Sequence, residues 1–125
     1  MDRRLQLALG IDVFSVTLFV AIGRREHEQG FAISGLIETA APFLLALALG
    51  WIVLRAWQRP TDWRIGIGIW ALTLTAGMLL RKLVFDGGTA TSFIVVAAGF
   101  LALFLVGWRL AYALIERRSA PVTNT

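Results

Sequence analysis

Five residues have types and positions that could do chemistry in or beside a membrane: Asp12, Arg24, His27, Glu38 and Arg81. Asp12 interrupts an apolar run, and a carboxylate near the middle of a bilayer costs at least a few kcal/mol unless it is paired, neutralised or hydrated. Two readings follow. Asp12 is a proton or cation site, or it is a protonated acid hydrogen-bonded to hydroxyls, with Ser15 close by and Thr73 and Thr75 at a comparable depth in a later run. Glu38 lies nearer the end of its own run. It reads either as an ion-pair partner of Arg24 or Arg81 that fixes the helices, or as the group orienting those two arginines around an anionic ligand.

His27 is the single histidine, so haem held between two histidines of one chain is excluded. A metal there would need Glu26, Glu28 or a second subunit, and its plainer role is as a hydrogen-bonding partner. Pro42 follows Glu38 by four residues. It has no N–H to offer the carbonyl of Glu38, and its ring pushes that carbonyl away, so a kink is expected beside the acid.

These groups must be positioned by membrane helices. The 125 residues are 58% hydrophobic, with a mean hydropathy of +0.74, well outside the soluble range. Apolar runs at about 5–22, 33–54, 65–83 and 90–115 each approach the roughly 17 to 25 residues that cross a hydrocarbon core. The expected fold is all-α: a four-transmembrane-helix bundle occupying 1–118, followed by a disordered tail, 119–125. Asp12 and the lack of a small-residue cleavage site argue against the first run being a signal peptide. Gly23 suits the C-cap of helix 1, and Trp51, Trp57 and Trp63 suit an interfacial aromatic belt.

Basic residues are biased. Arg3, Arg4, Arg55, Arg59, Arg64, Arg109, Arg117 and Arg118 fall on one side of this topology, against Arg24, Arg25, Arg81 and Lys82 on the other. The positive-inside rule then puts both termini in the cytoplasm of a prokaryotic plasma membrane. The net charge of +4 fits contact with anionic lipid and is no sign of nucleic acid. With no cysteine, disulfides and thiolate metal sites are excluded.

A shift of 57 residues aligns Arg24-Arg25 with Arg81-Lys82, Ala40-Ala41 with Ala97-Ala98, and Gly50-Trp51 with Gly107-Trp108. Two parallel helix-hairpin repeats are one reading of this match. On that alignment Asp12 and Glu38 fall opposite Ile69 and Val95, so only the first half carries the acids.

Asp12, Phe19, Gly23-Arg24, His27, Glu38, Pro42, Gly50-Trp51, Gly77, Arg81 and Trp108-Arg109 together form a pattern over the full length. By that pattern the chain resembles an uncharacterised prokaryotic integral membrane family, domain of unknown function 3054. The resemblance implies four membrane helices and assigns no activity.

No nucleophile elbow, phosphate loop or zinc motif is present, and no catalytic residue, metal or cofactor is expected. Two functions compete. One is a transporter-like or ion-handling protein, with Asp12 as the proton or cation site and Glu38, Arg24, His27 and Arg81 as an outward-facing vestibule. Four helices enclose too little space for a pathway, so it requires a homo-oligomer. The other is a non-catalytic subunit or assembly factor of a larger membrane complex, in which the polar residues are structural. There the docking faces are the small-residue seams Thr73-x(3)-Gly77, Ala46-x(3)-Gly50 and Ala98-x(3)-Ala102. A membrane enzyme or quinone-binding protein is a more distant third.

Overall fold

The computed structural model describes residues 2–26, 33–84 and 91–119. Helix α1 spans Arg3–Glu26, α2 Ile33–Leu54, α3 Trp63–Leu83, α4 Thr91–Leu101 and α5 Gly107–Ser119. Between α4 and α5 a π-helical segment, Ala102–Val106, continues the helical path without a break. Four of the resulting rods are long and apolar enough to cross a membrane: Arg3–Gly23, Gly35–Leu54, Trp63–Leu83 and Thr91–Arg118. This is the all-α bundle expected, in a multi-pass membrane protein. The expected tail lies outside the described residues beyond 119.

The most extensive contact is between α2 and α3, and α1 packs against α2. The fourth rod closes the ring, touching α3 on one side and α1 on the other. Backbones approach closely where side chains are missing. A Cβ on Gly77 would lie 2.5 Å from the Phe43 ring, and one on Gly68 would lie 2.6 Å from Leu54. Gly50 packs on Ile69 and Leu72. Ala46, Gly50, Thr73 and Gly77 are all buried, so those two seams serve the α2–α3 contact inside the chain and are not docking faces.

Local chemistry shifts several boundaries. Helix α1 runs through Gly23 to Glu26, so Gly23 does not cap it. Helix α2 continues through Pro42, whose ring is buried. The chain leaves α2 at Arg55 in the left-handed region (φ 50°, ψ 50°), makes a short 3-10 turn over Ala56–Gln58, and enters α3 through Asp62. The Asp62 carboxylate accepts from the Arg64 backbone N–H at 3.0 Å and so satisfies a donor that has no partner within the helix.

The π segment has a packing cause. Ala97, Leu101, Leu105 and Arg109 recur every four residues, and all are completely buried. In a regular α-helix each such step overshoots one turn by roughly 40°, so four residues would drift by about 120° around the rod. A wide turn, with the Gly107 N–H bonding the carbonyl of Ala102, absorbs that drift. It keeps Leu105 and Arg109 facing inward.

The core has two parts. Toward the end where α1 finishes and α2 begins, Phe19, Phe43, Phe93 and Phe100 form an aromatic cluster with ring centres 5.5 to 6.2 Å apart. Toward the end that carries the α2–α3 loop, the core is polar.

Candidate functional site

Asp12 and Arg109 are both 0% exposed and form a two-pronged ion pair. Arg109 Nη1 donates to Asp12 Oδ1 at 2.8 Å, and Nη2 donates to Oδ2 at 2.7 Å. Two indoles complete the carboxylate's shell. Trp108 Nε1 donates to Oδ1 and Trp51 Nε1 to Oδ2, each at 2.9 Å. An ionised carboxylate has about four lone-pair sites, and here each oxygen takes two donors.

The guanidinium is held as tightly. Arg109 Nε donates to the carbonyl of Pro60 at 3.0 Å, and Nη1 donates again to the carbonyl of Leu105 at 2.8 Å. Its Cζ lies 4.5 Å from the centre of the Trp108 ring, a cation–π contact. The shaft of Arg109 fits only because residue 66 is glycine: a Cβ there would be 2.8 Å from Arg109 Cδ and 3.1 Å from the carbonyl oxygen of Leu105. One node thus ties α1, α2, the α2–α3 loop and α5 together, with α3 packed directly on it. Planar, two-pronged recognition of a carboxylate is what arginine supplies and lysine does not.

The cluster differs from what the sequence led us to expect in its partners. Ser15 Oγ donates to the carbonyl of Ile11 at 2.7 Å, and Thr75 Oγ1 to that of Ala71 at 2.7 Å, each within its own helix. Thr73 is completely buried, with no partner for its hydroxyl among the described residues. None of the three reaches Asp12. Asp12 follows the start of α1 by about 14 Å, close to the middle of the span Arg3–Gly23, whereas Trp51 and Arg109, which reach it, stand in the loop-end halves of their own spans. Trp51 is only 7% exposed and belongs to this node, whereas Trp57 and Trp63 are 48% and 38% exposed, as an interfacial belt requires. Arg109, counted above among the surface charges, is instead the buried counter-ion. Removing it leaves the charge bias in the same direction.

Of the remaining candidates, Glu38 and Arg81 do not join Asp12. Glu38 is exposed on α2 and makes no ion pair among the described residues. Arg81 is half-buried on α3 with its Cζ 4.9 Å from the centre of the Phe93 ring. Arg24 lies in the last turn of α1, and His27 lies outside the described residues. At the opposite end, a cleft of about 490 Å³ is lined by Trp57, Pro60, Trp63, Tyr112 and several charged residues. Its wall includes the residue whose carbonyl holds Arg109. Arg4 and Glu116 pair at 2.9 Å beside it, across α1 and α5.

The family described as "Protein of unknown function (DUF3054)" matches residues 9–112. The chain belongs to this family. The matched segment contains Asp12, Trp51, Trp108 and Arg109, so the whole node lies within the family region. No curated protein and no solved structure matches the chain significantly.

Proposed function

We propose that this family member is a non-catalytic subunit or assembly factor of a larger membrane complex, in which the Asp12–Arg109 node is a lock that holds the bundle in one arrangement. The observation that carries this reading is the saturation of Asp12: four donors on two oxygens, with no exposed surface. A proton or cation site must exchange its occupant. This carboxylate would first have to give up an arginine and two indoles, each of which would lose its partner in a low-dielectric core. The excess of arginines beside the N-terminus, the α2–α3 loop and the end of α5 supports a prokaryotic plasma membrane orientation with both termini cytoplasmic.

One observation favours the transporter-like reading. Pro60 both lines the 490 Å³ cleft and accepts from Arg109, so movement of the α2–α3 loop would release the guanidinium toward water. The pair would then be a closed cytoplasmic gate, with Glu38, Arg24, His27 and Arg81 as the outer vestibule. Reconstituted vesicles separate the two. The lock reading expects vesicles holding the wild-type chain to dissipate proton and potassium gradients no faster than empty ones. It also expects mild extraction from native membranes to yield the chain together with a second protein in fixed proportion. Gradient dissipation that is present in wild type and lost in a folded Asp12→Asn variant would replace the lock with the gate.

A further inference from the structure

The other end of the bundle carries two opposite charges that pair with no other described residue. Glu38 on α2 and Lys82 on α3 are both exposed, and both lie within the spans Gly35–Leu54 and Trp63–Leu83. Neither makes an ion pair among the described residues. Their helices are antiparallel neighbours whose register is fixed by close contacts: Gly50 on Ile69 and Leu72, and Gly77 on Phe43. Continued by one more turn, that register puts Glu38 level with Lys82. The acid and the base therefore sit at one depth on adjacent helices, each pointing away from the core.

The surface around them is apolar. Ile37 and Leu45 on α2 are 63% and 55% exposed, and Leu79 and Leu83 on α3 are 59% and 74% exposed. Lipid chains satisfy such side chains but offer nothing to a carboxylate or an ammonium. A partner that covers this face must bring a base opposite Glu38 and an acid opposite Lys82 at the same depth. A second copy in the same membrane orientation does so automatically. A two-fold axis along the membrane normal sets Glu38 of each copy against Lys82 of the other, and the patch is self-complementary. The geometry points to a homodimer closed through the α2–α3 face, held by two reciprocal Glu38–Lys82 pairs. This assembly does not rest on the lock reading, and under the gate reading it would draw Glu38 out of the vestibule.

The reciprocity supplies a test that a merely solvated pair of charges would fail. The full chain is labelled with donor or acceptor fluorophores and reconstituted in vesicles at graded protein-to-lipid ratios. Wild type associates. Glu38→Lys alone and Lys82→Glu alone each put like charges opposite one another, and self-association weakens by about tenfold or more. Mixing the two single variants restores it, because each residue 38 again meets an opposite charge at residue 82. Both changes are on exposed positions, and an unchanged near-ultraviolet tryptophan spectrum verifies the fold. A wild-type chain that stays monomeric, single variants that associate as wild type does, or a mixture no tighter than its components would each overturn the dimer. Failure of the dimer and failure of the lock are read separately, the first by association and the second by gradient dissipation.

Discussion

The two ends of the bundle each contain an acid within a membrane-spanning segment and treat it in opposite ways. Asp12 is sealed, with an arginine and two tryptophans drawn from α2 and α5 around it. Glu38 is left on the surface, while the core beneath it is filled by phenylalanine rings and by Arg81 lying over Phe93. The difference teaches that an acid in a membrane segment is not one kind of signal. Where it faces inward, the chain must provide every partner, and the price is a network that fails as a unit. Where it faces outward, the chain can leave the partner to water, to headgroups or to another copy.

The largest test of this contrast removes the counter-ion. Arg109→Leu leaves Asp12 buried and uncompensated, and destabilisation of about 3–5 kcal/mol is expected. Unfolding followed by circular dichroism in mild detergent measures it, and tryptophan fluorescence reports the release of Trp51 and Trp108. Replacing both partners, Asp12→Leu with Arg109→Leu, recovers much of the loss, since no charge is then stranded. Glu38→Gln at the other end, in detergent that keeps the chain monomeric, stays within the roughly 0.5 kcal/mol typical of surface changes. Comparable losses for Arg109→Leu and Glu38→Gln would erase the distinction between the ends.

A smaller effect is expected at Gly66. An added methyl would meet the Arg109 side chain at 2.8 Å and the Leu105 carbonyl at 3.1 Å. The backbone carbonyl cannot swing aside as a flexible chain end can, so Gly66→Ala displaces Arg109 and costs about 1–3 kcal/mol. The same change at Gly10, which has nothing within 4 Å, relieves a helix-interior glycine and is neutral or slightly stabilising. Equal melting of Gly66→Ala and Gly10→Ala would show that the shaft of Arg109 is not confined as described.

The helices were legible because apolar runs of membrane length leave few alternatives. Asp12 was legible as an exception for the same reason. Its partner was not, although the signal was present. Arg109 stands inside the fourth apolar run, six residues before its end at Ile115, just as Asp12 stands inside the first. An enclosed acid and an enclosed base in one chain are natural partners; counting Arg109 with the surface arginines concealed this. Trp51 and Trp108 were likewise singled out as a match at the 57-residue shift, yet a pattern in sequence does not say that two indoles converge on one carboxylate. The π segment was illegible because it follows from the burial of Ala97, Leu101, Leu105 and Arg109 together, a tertiary demand with no local signature. Small-residue spacing gave the seams but not what they pack against.

Between the two ends lies Thr73, completely buried and with its hydroxyl unpartnered among the described residues. It sits on the inward face of α3, between Ile69, which packs on Gly50, and Gly77, which packs on Phe43. An unsatisfied hydroxyl in such a place costs about 1–3 kcal/mol, and valine has nearly the same shape without that cost. If the core between the polar node and the phenylalanine cluster is dry, Thr73→Val raises the unfolding midpoint by the equivalent of about 1 kcal/mol. If water reaches Thr73, the hydroxyl is already satisfied and the substitution lowers the midpoint instead. The sign of this smallest effect therefore bears on the largest question about the chain. A stabilising change keeps the two ends separate and the lock closed, whereas a destabilising one supplies the first polar step from the Glu38 end toward Asp12 that the gate reading needs.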